Sequence, residues 1–307
     1  MPPFKGLLRG FAALVALGAT SCSTGMQQVH PPIGAMRSPA LNHLYVVLDK
    51  ETFAAIRDNR ELAILLGRTD GGLPDYAPPK PDADRVFLRG RSTYLELFAP
   101  TNRFNEPVGK VGVALGHDEP VPFEALAKTW QGTCGTQMRR SRAEWTQAQP
   151  PVPWYDAVQC DDTAEGPNVA VWAMVYRPEF YRWQSQAAPN SPPRTARADV
   201  LEARLTAGQG RFDVTRVAID VEPLLHAKLV AQLEKTGFSR EDTAAGTRLL
   251  GQGWELLLRE TNGAPGLVSI DLATDRPLRG EVSLGTARMV PRSAAGARLY
   301  FRTPVAD

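Results

Sequence analysis

Residues 41–49, LNHLYVVLD, and residues 90–100, GRSTYLELFAP, decide how this chain is read. Apolar, β-branched and aromatic residues dominate both. Side chains alternate along a strand, which places His43, Tyr45 and Val47 on one face of the first and Tyr94, Glu96 and Phe98 on one face of the second. If both strands join one curved sheet, His43 and Glu96 point into a shared hollow. A neutral imidazole nitrogen and a carboxylate oxygen are ligands suited to a divalent metal, and the same pair suits proton transfer.

Working outward, residues 52–67 read as two helical pieces separated at the polar residues 58–60. The four prolines of residues 70–84 exclude regular structure there. Residues 85–89 and 92–99 are strands joined at Gly90-Arg91, and residues 108–116, VGKVGVALG, are another, with Val111, Val113 and Leu115 opposite Lys110. Phe123, Leu126, Ala127 and Trp130 form the apolar stripe of a helix over 121–131. Residues 154–159 and 168–176 read as strands, and 184–197 as a linker or exposed loop. A strand over 213–221 precedes a helix over 223–236, in which Leu225, Leu229 and Leu233 face the core, Gly237 caps the end and His226 is solvated. Residues 247–250 and 254–259 pair around Gly251-Gln252-Gly253, residues 266–273 follow, and residues 297–302 are a last strand. GRSTYLELFAP followed by GKVGVALG is echoed by GQGWELLLRE followed by GLVSIDLA, which argues for duplicated units. The chain then divides into a first module (40–116), a middle segment holding a second module and linker (117–197), and a C-terminal module with a tail (198–307).

At these residues the chain resembles the vicinal oxygen chelate superfamily, the glyoxalase and bleomycin-resistance fold, near an uncharacterised bacterial group of glyoxalase-like proteins. The resemblance implies an α+β chain whose βαβββ modules form a cupped mixed sheet. It also implies a metal-ligating His on a module's first strand and Glu on its last, the places of His43 and Glu96, repeated in the partner module. That second half is not visible. Lys110 or Arg216 stands where another His is expected, and either cation repels a divalent ion. Glu255 is a candidate second carboxylate, and His117 with Asp118 sits just past a strand end. His43 and Glu96 therefore keep three readings: metal ligands, a metal-free pair that binds or deprotonates a ligand, or a structural hydrogen bond. On the metal-free reading, Arg216 and Lys110 bind a carboxylate or phosphate, with Tyr45 and Tyr94 beside them. Functionally these become a divalent-metal-dependent lyase, isomerase or dioxygenase, a non-catalytic binder that sequesters a small molecule, or an envelope scaffold with a filled hollow. A second subunit in a homodimer is one way to complete the site.

The N-terminus supplies an address. Lys5 and Arg9 precede an uncharged apolar stretch, 11–19, as in a secretory signal over residues 1–21. That stretch is shorter than the roughly 20 residues that span a bilayer. Ala19-Thr20-Ser21-Cys22 resembles a bacterial lipobox, which implies lipidation of Cys22 and a tether over residues 22–39. Ser23, rather than Asp, implies the outer membrane, facing the periplasm. Cys134 and Cys160 are then a disulfide candidate in an oxidising compartment, the alternative being two buried thiols. The 35 Lys and Arg nearly balance 33 Asp and Glu, leaving +2 without a basic run and no electrostatic argument for nucleic acid. Gly90-Arg91-Ser92-Thr93-Tyr94 lacks the second glycine of a nucleophile elbow, and Gly251-Gln252-Gly253 is a lone GxG rather than a dinucleotide loop. The run 176–183, YRPEFYRW, suits either stacking on a sugar or core packing.

Overall fold

In the computed structural model, which describes residues 38–160, 168–188, 191, 194–202 and 210–301, the opening stretch forms β1 (Ala40–Val47). Asp49 ends it and caps α1 (Lys50–Asp58), accepting the Thr52 N–H at 2.9 Å. Asn59 is extended, closes α1 and caps α2 (Arg60–Leu66) through the Leu62 N–H at 2.9 Å. This one residue breaks the helix in two. The chain then forms β2 (Arg85–Arg89), β3 (Tyr94–Phe98), β4 (Val111–Gly116), α3 (Phe123–Cys134), β5 (Met138–Trp145), β6 (Val152–Cys160), β7 (Val169–Tyr176), α4 (Pro178–Ser185) and α5 (Arg197–Glu202). These strands make a seven-stranded mixed sheet in the order β2-β3-β1-β4-β7-β6-β5.

The remainder is β8 (Phe212–Val221), α6 (Pro223–Lys235), β9 (Ser239–Thr243), β10 (Gly246–Gly251), β11 (Trp254–Glu260), β12 (Gly266–Thr274), β13 (Val282–Leu284), β14 (Ala287–Ser293) and β15 (Gly296–Tyr300). They form an eight-stranded sheet, β13-β14-β15-β12-β8-β11-β10-β9. The chain is therefore α+β. Both sheets follow one scheme: β1 is parallel to β3 and antiparallel to β4, as β8 is parallel to β11 and antiparallel to β12. A helical crossover returns the chain in the starting direction, so β4 is parallel to β7 across α3. Without a helix, β12 meets β15 antiparallel.

Several elements differ from the sequence reading. The edge strands β5 and β9 carry exposed, charged residues instead of an apolar alternation, as suits strands open on one side. The tail holds three strands where one is expected, and β4 begins at Val111 rather than at residue 108. The YRPEFYRW run is largely α4, with Phe180 and Tyr181 buried. Residues 1–21, Cys22 and all but the last two residues of the tether lie outside the described residues. No helix among the described residues is long and apolar enough to cross a membrane.

Behind the first sheet, Leu44, Val46, Leu95, Leu97, Val113 and Leu115 are buried, as are the helical residues Phe53, Ile56, Leu62, Leu126 and Trp130. Cys134 and Cys160 form a disulfide, Cα–Cα 5.3 Å, that ties the end of α3 to the end of β6. The β2–β3 turn joins the two sheets. Arg91 N–H donates to the Phe212 carbonyl at 2.9 Å, and Ser92 N–H to Asp213 at 2.7 Å. A Cβ on Gly90 would lie 2.2 Å from the Phe212 oxygen, so only glycine lets the turn approach.

Candidate functional site

Register builds the site. Across β1 and β3, His43 lies opposite Tyr94 and Tyr45 opposite Glu96. Across β2, Arg89 faces Tyr94, Phe87 faces Glu96 and Arg85 faces Phe98. On the other side Gly112 and Ala114 lie beside Tyr45 and His43, and Trp172 beside Ala114. These side chains share one face. A bulge in the β1–β4 pairing between Leu41 and His43 brings the consecutive Asn42 and His43 together.

His43 is 3% exposed, its ring stacked on Tyr94 at 4.4 Å and meeting Trp172 edge-on at 5.4 Å. Its Nδ1 is 2.8 Å from Asn42 Oδ1, an acceptor, which assigns the proton to Nδ1 and leaves a lone pair on Nε2. Asn42 Oδ1 also accepts the Tyr176 hydroxyl at 3.2 Å. Burial, assisted by the charge of Arg89, pushes the imidazole down to about 3, so it is neutral at physiological pH. Burial, then the charges of Glu106 and Glu96, raises the Tyr45 phenol above its ordinary range, keeping it a hydroxyl.

Glu96 is bound elsewhere. Arg85 Nη1 donates to its Oε1 at 2.9 Å, and the Arg85 guanidinium lies over Phe87 at 4.9 Å. Arg89 grips Asp70 at 2.7 and 3.1 Å and lies 4.6 Å from both Tyr76 and Phe87. The inner half of the face is closed. Phe180 of α4 stacks on Tyr176 at 6.3 Å and Val200 of α5 joins the same cluster, while Leu201 packs with Phe87 and Tyr94. At the outer end Tyr45 and Trp172 are half-buried and stacked at 5.8 Å, with Lys110 paired to Glu106 at 2.6 Å nearby in the chain.

The other expected residues do not converge on this face. Glu255 and Arg216 pair on the second sheet. Arg216 Nε lies 2.7 Å from Glu255 Oε1 but is not aligned as a hydrogen bond, and Arg248 holds Oε2 at 2.6 Å. Glu255 therefore does not complete a set with His43 and Glu96. Arg216 on β8 and Lys110 just before β4 are each ion-paired, to Glu255 and Glu106, rather than gathered around one ligand. Asp118 is held by Arg197 at 2.8 and 2.7 Å, and burial lowers the neighbouring His117, whose Nε2 lacks a partner among the described residues. His226 is not solvated: it is 8% exposed, with Nδ1 3.1 Å from Glu260.

No group of three or more His, Cys, Asp or Glu side chains that could hold a metal occurs among the described residues. With Nδ1 of His43 given to Asn42 and Oε1 of Glu96 to Arg85, the pair lacks the remaining donors a divalent ion needs. The donor set does not fit a resident metal. Sequence reasoning missed Asn42, Asp70, Arg85, Arg89 and Trp172, and had Tyr176 only as the first residue of the run 176–183. The alternation of RVFLR and NVAVWAMVY held part of that signal, since it puts Arg85 and Arg89 on one side of their strand, and Trp172 and Tyr176 on one side of theirs.

A family model described as a family of unknown function, DUF5829, matches residues 41–285. No curated protein matches. Among solved structures, a hypothetical protein from Staphylococcus aureus is 10% identical with a TM-score of 0.44, covering 72% of this chain and 86% of that one. A variant of homoprotocatechuate 2,3-dioxygenase from B. fuscum is 15% identical with a TM-score of 0.38, covering 76% of this chain and 57% of that one.

Proposed function

We propose, for a chain that belongs to DUF5829 and so to a family of unknown function, that it is a small-molecule binding protein of the cell envelope. The observation that carries the reading is the half-buried, stacked pair Tyr45 and Trp172 on a face whose other aromatic residues are buried. Two rings there offer a flat apolar body a stacking surface. The ion-paired Glu96 and Arg85 and the Tyr45 hydroxyl offer hydrogen bonds beside it. His43 supports the floor as a neutral, hydrogen-bonded ring. The function is capture of a planar hydrogen-bonding compound, without a resident metal.

The envelope address rests on Lys5 and Arg9, the apolar stretch 11–19 and Ala19-Thr20-Ser21-Cys22, which together suit lipidation of Cys22. The Cys134–Cys160 disulfide favours the same oxidising compartment.

The test pairs a thermal-shift screen of planar heterocycles with metal analysis of protein purified without chelators. Compounds that raise Tm should bind at least tenfold more weakly to Tyr45→Ala and Trp172→Ala, about 1.4 kcal/mol each. Stoichiometric metal that His43→Ala and Glu96→Ala both remove would overturn the reading in favour of a metal-dependent enzyme.

A further inference from the structure

The run 176–183 and the end of β5 meet at a second aromatic surface. Three of the six tryptophans gather there: Trp145 at the end of β5, Trp154 on β6 and Trp183 on α4, all half-buried. Trp154 stacks on the buried Phe180 at 5.3 Å, and Trp183 lies 5.8 Å from the same ring. Trp145 adds a further layer, 6.3 Å from both indoles, at 82° to Trp154 and 45° to Trp183. It sits on the edge strand of its sheet, where a large ring is not needed to fill a core. A cluster of half-exposed rings at such an edge marks a recognition surface. The surface is separate from the Tyr45–Trp172 pair: Trp172 is level with Gln159 of β6, about 16 Å along that strand from Trp154.

Charged groups of both signs border the rings. Glu144 precedes Trp145, Glu179 lies one helical turn before Trp183, and both are exposed. Arg177 N–H donates to the Trp154 carbonyl at 2.8 Å, and its guanidinium bridges Asp156 at 3.1 Å and Glu179 at 3.3 Å. Arg142 donates to the other oxygen of the buried Asp156 at 2.8 Å, so one carboxylate holds two arginines in place. These features narrow the ligand. Paired charges of both signs give no net field to gather an ion. Rings inclined at 82° and 45° share no plane for a flat heterocycle. A sugar ring matches what remains, with apolar C–H faces for the indoles and hydroxyls that donate to carboxylates and accept from guanidinium groups.

We propose that Trp145, Trp154 and Trp183 form a subsite for a neutral glycan segment, whose hydroxyl groups donate to Glu144 and Glu179. The differing inclinations of the three rings suit successive sugar units of one chain.

Calorimetric titration of the full-length protein with chitohexaose, cellohexaose and maltohexaose, beside glucose and decaproline, tests this. At least one hexasaccharide should bind saturably, tenfold or more tighter than glucose, shift the tryptophan emission to shorter wavelength and keep its affinity in high salt. Trp145→Ala should weaken it at least tenfold. Glu144→Gln, an exposed change that leaves the rings in place, should weaken it at least threefold with unchanged Tm, which separates lost recognition from lost folding. No saturable binding of any hexasaccharide, affinity undiminished in the double variant Trp145→Ala with Glu144→Gln, or binding of decaproline without binding of a hexasaccharide would each overturn the proposal.

Discussion

On the first sheet Tyr45 lies between Glu96 on the parallel strand and Gly112 on the antiparallel one. On the second, Arg216 lies between Glu255 and Asp271 in the same arrangement. The surroundings differ at every step outward. A Cβ on Gly112 would come 2.0 Å from the Tyr45 ring, so the missing side chain is what lets the ring lie flat against the strand. Asp271, by contrast, projects a carboxylate that Arg298 holds from β15. The second sheet continues as a charge ladder: Glu241 to Arg248, Arg248 to Glu255, Arg259 to Asp220 and Arg288 to Glu281. An aromatic face in water has to be covered, and α4 and α5 cover it. A ladder of paired charges keeps part of its hydration, the Arg216, Arg248 and Arg259 side chains staying 28, 35 and 42% exposed. One strand scheme thus yields a covered aromatic face and a face of paired, partly exposed charges, and the side chains alone decide which.

The largest consequence falls on the cover. Phe180 is 1% exposed and lies 5.3 Å from Trp154, 6.3 Å from Tyr176 and 5.8 Å from Trp183. Phe180→Ala should destabilise the protein by about 3–5 kcal/mol in urea denaturation, from lost burial and the cavity left behind. A loss below about 1 kcal/mol would mean that the aromatic face does not depend on its cover, and the contrast with the second sheet would collapse.

Acid should find the first sheet next. His43 titrates near 6.5 when unfolded and about 3 when folded, burial being the main cause and Arg89 the second. A depressed imidazole means that the unfolded chain binds the proton first. Its penalty is therefore absent above pH 6.5 and grows as pH falls toward 3. At pH 5 it should amount to about 2 kcal/mol. The difference in stability between the wild type and His43→Leu should shift by that amount between pH 7.5 and pH 5. A pH-independent difference would show that the ring is accessible to protons.

The strand–helix order, the echo between the 90–116 and 251–273 stretches, and the sharing of one face by His43 and Glu96 were legible because each rests on local periodicity. The limits are equally physical. Edge strands such as SREDT bury nothing and so carry no alternation to detect. A helical wheel puts His226 on the solvent side because the wheel ignores Glu260, which arrives from β11. Residue type and spacing flagged Glu96 and Glu255 alike. Only pairing in space reveals that arginines already hold both carboxylates, and that they lie on different sheets. The covering of the aromatic face by residues 178–202 is likewise a long-range fact with no local signature.

The smallest effect should come from the ladder itself, and it is the sharpest check on the contrast. Arg259 donates to Asp220 at 2.7 and 3.0 Å, an aligned two-point pair, yet its side chain is 42% exposed. Hydration of the free ions competes with such a pair and salt screens it, so geometry overstates its worth. Arg259→Ala should change stability by no more than about 1 kcal/mol, and less in 1 M sodium chloride. If the loss instead approached that of Phe180→Ala and resisted salt, the ladder would be a buried surface awaiting a partner. The second sheet would then have to be read, like the first, as a covered face.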